Sequence, residues 1–158
     1  MLARAADSPR FLSHLARIAC DWHPPLGFFQ GLVVERRGQY RNTLDIKAGG
    51  IAPLVQIARL HALSAGIGEV STRSRLDAAA AKGVIGRSDG EELAAAARTL
   101  RTLAYRHHVR QIAAGEPADN HLAPSELGTS DRNRLRTALR IISRAQKAVA
   151  LRYRVGQM

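Results

Sequence analysis

Residues 88–113 read SDGEELAAAARTLRTLAYRHHVRQIA, and this stretch decides how the chain folds. Ser88 stands three residues before Glu91, the spacing of a capping box, in which the hydroxyl and the carboxylate each satisfy an orphan amide of the first helical turn. Leu93, Ala97, Leu100, Leu103-Ala104, His107 and Ile112 then recur at helical spacing, so one apolar stripe runs along a long helix. Gly115-Glu116-Pro117 ends it. Downstream, Thr129 or Ser130 begins a final helix whose stripe is Leu135, Leu139, Ile142, Ala145-Gln146, Val149 and Tyr153.

Upstream the same grammar repeats. Ser71 or Thr72 caps a helix running to about Lys82, with Gly83 past its end. Gly49-Gly50 opens an earlier one, with Pro53 in its first turn, Leu54, Ile57, Ala58 and Leu60 to Ala62 along it, and Gly66-Ile67-Gly68 as its stop. Ser8-Pro9 reads as an N-cap followed by proline at the first helical position. Phe11, Leu15, Ile18, Ala19 and Trp22 form that helix's stripe, and Pro24-Pro25 stops it. Near residues 31–46 the helical period breaks, and Leu32 to Val34 with Tyr40 to Ile46 read either as a short β-hairpin or as an extended loop. The expected fold is all-α: an antiparallel bundle of about five helices, forming one unit over residues 1–158.

Composition agrees. The chain has 158 residues, 46% hydrophobic and 23% charged, with aromatics at 4% against 27 alanines, which favours close-packed helices over a sheet. Cys20 is the one cysteine, so an internal disulfide and a CxxC zinc site are excluded. The net charge of +11 comes from 24 Lys and Arg against 13 Asp and Glu. Such a surface attracts nucleic acid, nucleotide phosphates or an acidic protein face, or reflects solubility and a GC-rich codon bias. Arg4, Asp7, Arg10 and Arg17 occupy the place where a signal peptide needs an apolar segment, and no window of 18 uncharged apolar residues occurs, so a cytoplasmic protein with no membrane partner is expected.

Catalytic constellations are sparse. No P-loop and no Asp-x-Asp pair occurs, and Glu91-Glu92 point about 100° apart on a helix. His107-His108 with His121 lacks the spacing of a metal site. Arg132, Arg136, Arg140 and Arg144 form a ladder along the last helix, able to meet phosphates or simply to face solvent. Without interleaved aromatics it argues against single-strand nucleic acid. Polar residues inside apolar stripes are more informative, because each needs a hydrogen-bond partner or a ligand. Asp45 and Lys47 flank Ile46, Arg59 interrupts the second helix, His107 and Gln111 the fourth, and Gln146 the fifth.

Pro24-Pro25-Leu26-Gly27-Phe28-Phe29, Asn42-Thr43-Leu44-Asp45-Ile46-Lys47, Gly50 to Val55 and Ala58-Arg59-Leu60 together resemble the nucleotidyltransferase substrate-binding domain of bacterial signalling proteins that carry CBS and cyclic-nucleotide-binding-like modules. Arg106-His107, Gln111-Ile112, Gly115-Glu116-Pro117, Asp119-Asn120, Leu139-Arg140, Gln146 and Arg152-Tyr153 follow in the order that the resemblance expects. It departs at His108, where the family usually has glutamine, and at Ala118, an added residue before Asp119.

The resemblance implies an all-α module packed against a catalytic domain similar to that of PII-protein uridylyltransferases. The catalytic Gly-Ser motif and paired carboxylates of such a domain are missing here, so no catalytic residue, metal ligand or resident cofactor is expected. A nucleotide triphosphate with Mg²⁺ is expected only through the partner domain. Asp45, Lys47, Arg59, His107, Gln111, Asn120, Arg140 and Gln146 are the candidate ligand-binding residues. The expected function is to assist a nucleotidyltransferase in binding nucleotide or acceptor protein. The alternatives are a scaffold or homodimerisation bundle, and a basic nucleic-acid-binding module.

Overall fold

Ser8 accepts a hydrogen bond from the Phe11 amide at 3.4 Å with Pro9 following it, so helix α1 spans Pro9–Asp21 as its capping residues predict. A computed structural model describes residues 5–156; the ends of the expected unit, residues 1–4 and 157–158, lie outside the described residues. Helix α2 spans Ala52–Ser64, α3 Thr72–Ala81, α4 Arg87–Ala113 and α5 Thr129–Tyr153. Ser71 caps α3 through the Ser74 amide, and Gly66 and Gly83, with φ of +64° and +70°, follow the ends of α2 and α3.

The 31–46 segment takes the extended-loop alternative. The Glu35 amide donates to Thr43, and the Asn42 amide donates to Glu35, which closes the loop on itself. Strand β1, Leu44–Asp45, instead pairs antiparallel with β2, His121–Leu122, in the register Leu44 to Leu122 and Asp45 to His121. The Ile46 amide extends the pairing to the Asn120 carbonyl at 3.0 Å. A π-helical turn, Lys47–Ile51, then leads into α2. Gly49 is required there, since a Cβ would lie 2.6 Å from the Pro25 ring.

Helix α4 packs against α3 and α5, while α1 packs against α2 and α5. The main core gathers Ile46, Leu54, Leu76, Leu100, Leu122 and Leu139, so the small sheet and the π-turn are sealed by the same residues that join the helices. A second cluster, Leu12, Ala16, Leu60 and Val149, fixes α1.

Three sequence expectations change. The buried face of α1 is Leu12, Ala16 and Ala19, whereas Phe11 and Trp22 are exposed: the stripe is rotated by about one residue. Helix α4 begins at Arg87 with Gly86 as its N-cap and no side-chain cap, so Ser88 sits inside the first turn and makes no capping box with Glu91. Ile112 is 66% exposed. The cause is the register of α4 and α5: Arg106 meets Asp131 at 3.2 Å, near the start of α5, so the last turns of α4 run past their partner.

Candidate functional site

Asp119 is the hub of a polar node where α4, β1 and β2 meet. Its Oδ1 accepts from the His121 amide at 2.9 Å and lies 3.3 Å from His107 Nε2, while its own amide donates to Gln111 Oε1 at 3.0 Å. Burial raises the Asp119 carboxyl's pKa, but the bonds from His121, Gln111 and His107 outweigh it and leave the group below its usual value. His107 is buried, and the His121 ring stacks on Tyr40 with centroids 3.4 Å apart. Thr43, Arg110, Gln111, Glu116, His121 and Glu126 line a notch of about 320 Å³ beside this node. Among the described residues Arg110 has no carboxylate partner. The extra residue Ala118 is exposed in the loop and leaves Asp119 its bonds.

The other expected residues divide by their partners. Asp45 Oδ1 accepts from the Lys47 and Ala48 amides at 2.9 and 2.8 Å, so it caps the π-turn. Lys47 is exposed at the start of that turn, and Asn120 joins the node's edge through its backbone carbonyl. His107, Gln111 and Asn120 are thus brought together, with Asp45 and Lys47 next to them through the β1–β2 pair. Arg59 lies apart on α2 and donates to Gln56 at 3.2 Å. Arg140 donates to the Gln30 carbonyl at 3.4 Å. Gln146 is buried and donates to the carbonyls of Ala19 and Trp22, a clamp on the end of α1.

All four rungs of the arginine ladder are engaged, Arg136 through Asn133 on its own helix at 3.5 Å. Arg132 donates to the carbonyls of Pro124 and Leu127, Arg140 to Gln30, and Arg144 pairs with Glu92 and with Asp89. Against the expectation that paired carboxylates are missing, the sequence carries an Asp-x-Glu pair, Asp89 and Glu91, but Asp89 answers Arg144 across the bundle, within 3.9 Å. Among the described residues no three His, Cys, Asp or Glu side chains gather to hold a metal ion, and no helix is long and apolar enough to cross a membrane. Cys20 is half-buried with its thiol 3.6 Å from the Gln146 carbonyl, and burial pushes its pKa up, away from thiolate chemistry.

Sequence reasoning did not place Asp119, the hub itself, or Tyr40, Arg110 and His121 among the binding residues. Their association depends on pairing between distant loops, and the only local signal was the polar His107 to Gln111 spacing on an apolar stripe.

A family model described as "Putative nucleotidyltransferase substrate binding domain" matches residues 9–153. No curated protein and no solved structure matches the chain.

Proposed function

The chain belongs to the family of nucleotidyltransferase substrate-binding domains, and from that premise we propose that it is the non-catalytic accessory module of a bacterial signal-transduction nucleotidyltransferase. In that role it assists a partner catalytic domain in binding nucleotide or acceptor protein. The observation that carries the reading is the preformed notch beside Asp119, where Arg110, free of any close ion pair among the described residues, shares the lining with Gln111, His121, Glu116 and Glu126. The bond from the Asp119 amide fixes Gln111, and stacking on Tyr40 fixes the His121 ring, before a ligand arrives, which lowers the ordering cost of binding. Arg110 and Lys47 supply phosphate or acidic-surface contacts. Mg²⁺ arrives with the triphosphate and is held by the catalytic partner's carboxylates. A cytoplasmic setting follows from the role.

The test is a thermal-shift titration with ATP, UTP and CTP, each with and without Mg²⁺, at two salt concentrations. A nucleotide-selective rise in melting temperature that survives salt and weakens in Arg110→Ala and Lys47→Ala supports the reading. No shift with any of the three overturns its nucleotide-binding form.

A second reading, self-association, is favoured by one observation. Tyr105, Val109 and Ile112 lie exposed at i, i+4 and i+7 on the overhanging end of α4, an apolar strip that a second copy could cover. A mass in solution that rises with concentration and returns to monomer in Ile112→Glu supports it; a monomer at all concentrations removes it.

A further inference from the structure

An apolar recess lies away from the Asp119 node, between the α3–α4 connection and α5. It has a volume of about 430 Å³, within the range of small-molecule sites. Val84, Ile85, Leu93 and Ile141 supply an apolar bed, and the polar groups are few and placed at its edges. Arg144 is already answered by Glu92 and Asp89. Arg152 is not: its Nη1 donates only to the Val84 carbonyl at 3.2 Å, and it has no carboxylate partner among the described residues.

His61, on α2, completes the wall. It is 8% exposed and its Nδ1 is sealed with no hydrogen-bond partner, so the ring meets the recess by its other edge. A buried bare acceptor is tolerated more readily than a buried orphan N–H, which places the proton on Nε2 as a donor. Burial and the nearby Arg152 charge keep the ring neutral, against the opposing pull of Asp89.

We propose that this recess is a binding site for a small organic anion with an apolar body, its charged end held by Arg152 and the Nε2–H of His61. Asp89 at the Arg144 side disfavours a second negative charge, so a singly charged head fits better than a polyphosphate.

The probe is anilinonaphthalene sulfonate, followed by fluorescence titration of the purified chain, with the uncharged N-phenylnaphthylamine as its comparison. Saturable one-site binding of the sulfonate, tighter than that of the uncharged analogue, is expected. Arg152→Gln should weaken it about tenfold, the loss of about 1.4 kcal/mol that one charge-assisted bond supplies. Ala148 is exposed at the recess, so Ala148→Phe fills it without disturbing the core and should reduce binding by at least tenfold. Equal affinity for both probes, or binding untouched by Ala148→Phe at an unchanged melting temperature, overturns the proposal. Displacement of the sulfonate by UTP also overturns it, by making the recess the nucleotide site itself.

Discussion

The side-chain amide of Gln146 on α5 donates to the carbonyl of Ala19 on α1 at 2.8 Å, and the same nitrogen reaches the Trp22 carbonyl at 2.7 Å. One residue of the last helix therefore satisfies two orphan carbonyls at the end of the first. The helix needs that help because Pro24-Pro25 ends the chain's helical path and no basic residue lies in its last turn.

Gln146→Ala should leave both carbonyls without their partner, that of Ala19 in a buried setting and that of Trp22 in a partly buried one. The expected cost is about 2 kcal/mol, a fall in Tm of about 4–8 °C by circular dichroism. An unchanged Tm would show that α1 is held by its apolar cluster alone.

Gly49→Ala should be costly for a different reason. The new methyl group would meet the Pro25 ring at 2.6 Å and the His23 carbonyl at 3.5 Å, and neither group is the free end of a flexible side chain. Overpacking of this kind costs about 1–3 kcal/mol. Gly31→Ala, with nothing within 4 Å of its Cβ, is the matched comparison and should change stability by no more than about 0.5 kcal/mol. Equal denaturation midpoints for the two variants would contradict the tight contact.

His61 gives a pH dependence with a defined sign. Burial first, and then the Arg152 charge, lower its pKa to about 4, from about 6.5 in the unfolded chain. Between those values the unfolded chain binds a proton that the folded one does not, so stability falls as pH drops from about 6.5 towards 4. The loss has a ceiling of about 3 kcal/mol over that window. Denaturant midpoints of the wild type and His61→Phe, measured from pH 7 to pH 4.5, should diverge with pH; a constant difference would refute the shift.

Asp119 behaves oppositely in chemistry and alike in sign. Its carboxyl is held below the ordinary value, so its contribution is present above the unfolded pKa and is lost as pH falls through the folded one. Asp119→Ala frees the His121 amide and the His107 ring, and should speed amide exchange at His121 and Ile46, where the β1–β2 pairing is anchored. Unchanged protection at both amides would mean that Leu44 and Leu122 hold the strands without it.

The helices were legible because each carries its own punctuation. Ser8, Ser71, Gly66 and Gly83 mark boundaries through local backbone chemistry, and the α5 stripe from Leu135 to Val149 is buried as its period predicts. Ser88 misled because the Ser-x-x-Glu pattern is local, while Gly86 had already started the helix in an extended N-cap conformation. Ile112 misled because a stripe says which face is apolar and not where the neighbouring helix ends. The β1–β2 pair was hidden altogether: two-residue strands carry no alternation, and their contact joins residues far apart in the chain. The candidate site inherits that split. His107 and Gln111 stood out as polar residues on an apolar face, whereas their convergence on Asp119, with His121 stacked on Tyr40, belongs to the loop pairing.

Under the proposed function, the notch beside Asp119 receives the nucleotide. Titration of the ¹⁵N-labelled chain with UTP and ATP in the presence of Mg²⁺, followed by amide chemical shifts, tests it directly. Saturable shifts confined to Thr43, Lys47, Arg110, Gln111 and His121, lost in Arg110→Ala, are the predicted result. Shifts centred on Val84, Asp89 and Arg152, or none at saturating nucleotide, would contradict it.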